Sequence, residues 1–231
     1  MSVLEATAIT AGYGPTRIVD DVSVRIAAGE IVCLLGRNGM GKTTFLKSIL
    51  GLAKRTAGSV VVAGRKVDNW PTHRIARLGV GYAPQERGVF HELTVADNLK
   101  LSLSRGLDRS AVTSVLETLP VLVAKLGQRA GSLSGGEQKM LVFAEAILGQ
   151  PNLVVLDEVV EGVQPSLVNR FVDVIREINQ RDGSAFLIVE QNIGFALKVA
   201  SRFMVMKGGR IVEEGPTHDG TRASVERHFI L

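Results

Sequence analysis

Apolar and polar positions alternate over residues 3–9 and again over 22–26, the period of two that marks strands with one buried face. Ile31–Leu35 is apolar throughout, as in a strand covered on both faces. The period then changes. Phe45, Leu46, Ile49 and Leu50 recur at helical spacing within 41–52, and a further strand over 59–62 runs into a turn at Gly64. The middle of the chain reads as helical. Thr94 is placed to N-cap a helix, with Asp97 three residues on, ahead of Leu99, Leu101 and Leu103. Short helical pieces over 111–119 and 121–126 flank Pro120. The last third alternates strand and helix. A strand over 153–156 precedes a helix over Pro165–Asp182, with Leu167, Phe171, Ile175 and Ile178 on one face, Pro165 near its start and Gly183 past its end. A strand over 185–189, a helix over 193–200, and a hairpin of 203–206 and 210–213 through Gly208-Gly209 follow. Strand–helix alternation at both ends predicts an α/β fold with a mostly parallel sheet. The central helical stretch predicts a lobe inserted into it, over roughly residues 87–140.

Composition agrees with one such domain. The chain has 231 residues, 45% of them apolar and 22% charged, enough for a sizeable core. No apolar run approaches the roughly 18–20 residues that a membrane span needs. The N-terminus lacks a basic segment followed by an apolar one, so no secretory signal is read and a cytoplasmic location is expected. The formal charge of +4 is spread along the chain, without basic runs interleaved with aromatics, so nucleic acid is not an expected partner. Cys33 is the single cysteine, which excludes an internal disulfide. It lies within an apolar run and reads as a core thiol. His73, His91, His218 and His228 are scattered, without metal-ligand spacing.

Candidate chemistry concentrates in three segments. Gly36-Arg37-Asn38-Gly39-Met40-Gly41-Lys42-Thr43, continued by Thr44, fits G-x-x-x-x-G-K-[ST] after an apolar strand and at the head of a helix. Glycines allow a tight turn that aims backbone N–H groups at phosphate oxygens, and the helix dipole adds to that attraction. Lys42 can reach the β- and γ-phosphates of ATP, and the Thr43 hydroxyl can bind Mg²⁺. The spacing is not that of a dinucleotide fold. The second segment, 153–158, is a buried strand delivering Asp157 and Glu158 at its C-terminal tip, the edge where open α/β sheets bind ligands. Asp157 can hold Mg²⁺ through water, and Glu158 is placed to polarise an attacking water as general base. In the third, Leu133-Ser134-Gly135-Gly136-Glu137-Gln138-Lys139, Ser134 can N-cap a helix running to Leu148 and the glycines bare its first N–H groups. That is a second anion site.

This third segment resembles the signature motif of ABC ATPases, and the order of motifs along essentially the whole chain is similar to that family. The resemblance implies a P-loop NTPase (RecA-like) core with an antiparallel β subdomain and an inserted α-helical lobe. It implies head-to-tail pairing with a second ABC ATPase subunit, in which Ser134, Gly135, Gly136 and Glu137 cap the ATP held by the opposite phosphate loop. It also implies that Tyr13 lies against adenine and that Gln85, after Gly81-Tyr82-Ala83-Pro84, touches Mg²⁺ and water. Gly88-Val89-Phe90, residues 93–99, and Val189-Glu190-Gln191-Asn192 look like the ATPases of branched-chain amino acid importers (LivF-like) and their urea and amide relatives. That likeness implies membrane permease subunits as direct partners and a solute-binding protein as an indirect one. It implies a peripheral position on the cytoplasmic face of the inner membrane, with Gln191 toward the γ-phosphate. Importers of urea, amides or aromatic acids, a soluble non-transport ATPase, and a regulatory subunit with little turnover are the competing readings. Gln191 replaces the usual histidine and cannot carry a proton at neutral pH. Val159-Val160 removes a rigid turn and a possible cross-dimer hydrogen bond, and Glu145 stands where the family usually has arginine.

Overall fold

The computed structural model describes residues 1–86, 88–103 and 109–230. Strands β1 (Ser2–Tyr13) and β2 (Thr16–Ala27) open the chain, followed by β3 (Ile31–Leu35), helix α1 (Lys42–Ile49), β4 (Arg55–Val62) and the short β5 (Arg65–Lys66). Helix α2 (Thr72–Ala76) leads to β6 (Val80–Ala83), a strand that the apolar pattern does not mark because its middle residues, Gly81 and Tyr82, are only partly buried. Helices α3 (Val95–Ser102), α4 (Arg109–Thr118), α5 (Pro120–Val123) and α6 (Gly135–Ile147) then separate β6 from β7 (Leu153–Asp157). Next come α7 (Pro165–Asp182), β8 (Ala185–Glu190), α8 (Ile193–Val199), the hairpin β9 (Arg202–Lys207) and β10 (Arg210–Pro216), and α9 (Thr221–Glu226).

Two sheets result. One is antiparallel, in the order β2-β1-β4-β5. The other runs β10-β9-β3-β8-β7-β6, with β9, β3, β8, β7 and β6 parallel and β10 antiparallel at one edge. The uninterrupted apolar runs of β3, β7 and β8 follow from burial on both faces. Cys33, Leu35, Val154, Leu156, Phe186 and Ile188 point into a core shared with α6, α7 and α8. Val32, Leu34, Val155 and Leu187 point the other way, into a core with α1 and the antiparallel sheet. Cys33 is fully buried, and burial, then the Glu190 carboxylate, pushes its thiol well above the usual range.

Local signals decide most boundaries. The Thr94 hydroxyl accepts from the Asp97 N–H at 3.1 Å and caps α3. Leu101, in phase with Leu99 only at strand spacing, points to solvent. Helix α5 stops at Val123, so the helical piece around Pro120 is shorter than 121–126. Gly183 ends α7 in the left-handed region at φ 68°. Phe171 on α7 packs on Phe143 of α6 with ring centroids 5.5 Å apart, a contact that joins the two helices.

Glu145 is the odd residue in α6. Its Oε1 has no hydrogen-bond partner among the described residues. Burial pushes its carboxyl up to about 7, partly offset by a hydrogen bond with Ser102. A raised folded-state value means that the cost is absent below the unfolded value of about 4 and complete above about 7. Glu145→Gln is therefore expected to raise the melting temperature by about 2–4 °C at pH 8. The gain should fade as pH falls toward 5. Thermal melts across that window check this, and a gain independent of pH would reject it.

Candidate active site

The functional residues converge because they sit at the C-terminal ends of neighbouring parallel strands. The phosphate loop follows β3, Gln85 lies two residues past β6, Asp157 ends β7 with Glu158 next, and Glu190 ends β8 with Gln191 next. Glycine is required twice in the loop. A Cβ on Gly36 would lie 2.6 Å from the Met206 carbonyl oxygen on β9. Gly41, the residue before α1, has φ 100°, where side chains are strained. No side chain caps α1, which leaves its first N–H groups directed at the loop. A cavity of about 370 Å³ lies there, lined by Asn38, Gly39, Lys42, Thr43, Gln85 and Glu158 among others. Arg37 and Met40 line a separate cavity with Met206 and Lys207, so what they offer a phosphate is main chain.

Lys42 is 3% exposed, and its ammonium is fully engaged. It donates to the carbonyls of Gly36 at 2.8 Å and Arg37 at 3.0 Å, and pairs with Glu158 Oε1 at 3.1 Å. Glu158 Oε2 accepts from Gln85 Nε2 at 2.7 Å. The backbone of Glu158 is left-handed, at φ 52°, an uncommon state for a residue with a side chain. It is pinned from both sides. Its N–H donates to the Val189 carbonyl at 2.9 Å, and its own carbonyl accepts from Lys139 Nζ of α6 at 2.7 Å. Burial lowers the pKa of Lys139, opposed by the carboxylates of Glu161, Glu190, Glu158 and Asp157.

Thr43 Oγ1 donates to Asp157 Oδ1 at 3.1 Å, while buried Asp157 Oδ2 has no hydrogen-bond partner among the described residues. Burial, moderated by the Thr43 hydroxyl, pushes the Asp157 carboxyl up to about 6. An orphaned carboxylate oxygen beside a hydroxyl suits a hard divalent cation, which takes few protein ligands and completes its shell with phosphate and water. Thr43 and Asp157 therefore fit Mg²⁺.

The turn after Glu158 is held by a buried carboxylate, that of Glu190. Val159 and Val160 are buried, and the Val160 N–H donates to Glu190 Oε1 at 3.1 Å. Glu190 Oε2 accepts from the Gln191 N–H at 3.2 Å. Burial pushes the Glu190 carboxyl up to about 7, with these N–H groups pulling it back. Gln191 Nε2 donates to Glu161 Oε1 at 3.3 Å. Sequence reasoning assigned Lys139, Glu161 and Glu190 no role. The acids three residues apart at 158 and 161, and Glu190 immediately before Gln191, were the available signals.

Tyr13 and the signature residues stand apart from this cluster. Tyr13 ends β1, is 53% exposed and does not line the phosphate-loop cavity. Ser134 caps α6 through a reciprocal box: Glu137 N–H to Ser134 Oγ at 3.4 Å and Ser134 N–H to Glu137 Oε2 at 2.9 Å. Glu137 also pairs with Lys125 at 3.0 Å, so its carboxylate is already engaged. Gly135 opens α6, and a Cβ there would meet nothing within 4 Å.

The family model described as "ABC transporter" matches residues 19–161. A high-affinity branched-chain amino acid transport ATP-binding protein, BraG of Pseudomonas aeruginosa, is 37% identical over 203 residues, covering 87% of each chain. The lipopolysaccharide export system ATP-binding protein LptB of Escherichia coli is 36% identical over 241 residues, covering 100% of this chain and 98% of its own. The crystal structure of a nucleotide-free ATP-binding cassette from an ABC transporter superposes with a TM-score of 0.89 at 24% identity, over the full length of both chains.

Proposed function

The chain belongs to the ABC transporter family of ATP-hydrolysing cassettes, and we propose that it is the ATP-binding subunit of an importer for branched-chain or other hydrophobic amino acids. The observation that carries the ATPase reading is the cluster at the strand ends, where Lys42 and Gln85 both contact Glu158 beside the phosphate loop. In this reading the N–H groups of residues 36–44 cradle the phosphates, with Tyr13 against the adenine. Lys42 exchanges Glu158 for the β- and γ-phosphates. Glu158, freed from Lys42 and held in place by Lys139 and Gln85, takes the proton of the attacking water. Gln85 orients that water, and Gln191 donates to the γ-phosphate. Thr43 and Asp157 would hold Mg²⁺, which would supply neutralisation of the phosphate charge. Gly135 and Gly136, with the capped Ser134 and Glu137, complete the site of a second ATPase subunit.

Helices α3 to α6 belong to the lobe that meets membrane permease subunits, roughly residues 87–140. No helix among the described residues is long and apolar enough to cross a membrane, so anchoring at the cytoplasmic face falls to those partners. A solute-binding protein supplies the amino acid to the permeases. The match to LptB along the entire chain favours a second reading, in which the same cassette powers lipopolysaccharide export.

Purification of the tagged chain from its own cells in mild detergent, with mass spectrometry of its partners, separates the two. Two polytopic permeases, a second ATPase and amino-acid-stimulated ATP turnover with the cognate binding protein are expected. Recovery of lipopolysaccharide-export components would replace the importer reading with the second. Recovery of no membrane protein would sink both.

A further inference from the structure

Glu161 lies in the turn after Glu158, is exposed, and is used by no step above. Its two carboxylate oxygens reach two different strand ends. Oε2 accepts from Gln85 Nε2 at 3.1 Å, and Oε1 accepts from Gln191 Nε2 at 3.3 Å. Gly162, at φ 69°, reverses the chain immediately after it. The amide orientation follows from charge, because an amide oxygen turned toward a carboxylate would be repelled. Glu161 also adds an anion where Asp157, Glu158 and Glu190 already gather around Lys139. A hydrogen bond to an ionised acceptor is stronger than one to a neutral group.

We propose that Glu161 is a positioning residue that bridges Gln85 and Gln191 and competes for their amide donors with the γ-phosphate of ATP and the water beside it. This rests on the reading of Gln191 as a donor to the γ-phosphate and of Gln85 as the residue that orients the attacking water. Engaging them then requires the bridge to open, so Glu161 sets a threshold for ATP that a nucleotide lacking the γ-phosphate does not meet. A small or hydroxyl side chain at 161 cannot span both amides; the four-bond reach of glutamate is what joins them.

The test is equilibrium binding of a non-hydrolysable ATP analogue and of ADP, each with Mg²⁺, to the full chain. Glu161→Ala is expected to tighten the analogue about three- to tenfold, the scale of one hydrogen bond, and to leave ADP within twofold. Glu161→Gln, which keeps an acceptor for only one amide, should fall between. In a Gln85→Ala, Gln191→Ala background the gain from Glu161→Ala should disappear. Equal tightening of ADP, or a gain that persists without the glutamines, means that Glu161 acts by bulk charge and overturns the proposal. An unchanged affinity for the analogue also overturns it, leaving the ATP site standing. Failure of the wild-type chain to bind either nucleotide would instead overturn the ATP-site reading and this inference with it.

Discussion

Glu158→Gln is expected to lower ATP turnover by about 10²–10⁴-fold while nucleotide still binds, because the substitution removes a general base, and the phosphates of bound nucleotide replace the charge partner that Lys42 loses. Glutamine is nearly isosteric, so it can keep the place between Lys42 and Gln85. The main-chain bonds to Val189 and from Lys139, which hold the left-handed backbone, do not involve the side chain. Lys42 keeps the Gly36 and Arg37 carbonyls as acceptors. Phosphate release measured beside equilibrium binding of labelled ATP separates the two effects. Turnover within tenfold of wild type would remove Glu158 from the base role. Loss of binding together with turnover would show that its main task is structural.

Truncating Lys42 should act on two levels. The Lys42–Glu158 pair is buried, with side-chain exposures of 3% and 4%. Removing one member of such a pair leaves an uncompensated charge and costs about 3–5 kcal/mol. Lys42→Ala is therefore expected to lower the melting temperature by roughly 10 °C, at about 2–4 °C per kcal/mol for a chain of this size. Adding Glu158→Gln should restore part of the loss, since the orphaned charge is then gone. The recovery stays partial because the Gly36 and Arg37 carbonyls still lack their donor. ATP affinity should fall by about 30-fold to more than 1000-fold, the range for losing one partner of a desolvated charge pair. A double-mutant cycle on stability measures the pairing. Additive losses would mean that Lys42 and Glu158 do not interact in solution.

Much of this molecule is legible before folding is considered, and the legible part has a common cause. The phosphate loop, the acid-tipped strand at 153–158 and the Ser134 cap are each specified within a few consecutive residues. Glycine conformational freedom, helix capping and apolar periodicity are local properties. The same holds for α7, whose proline, apolar stripe and terminal Gly183 fix its start, buried face and end. Strand β6 escaped because an edge strand with two half-buried residues carries no clear period. Glu137 was legible as part of a motif, yet its pairing with Lys125 was not.

The sequence alone determined that this chain builds an anion-binding loop, a carboxylate pair and a second anion-binding helix start on an α/β scaffold. Tertiary structure alone decided which side chains meet. Strand order β3-β8-β7-β6 brings Thr43 to Asp157, Lys42 to Glu158 and Glu161 to both Gln85 and Gln191, across separations of up to 116 residues. It also places the buried Glu190 carboxylate on the Val160 N–H. Periodicity records which face of an element is buried. It does not record which neighbour lies across the sheet, because that depends on crossovers between strands far apart in the chain.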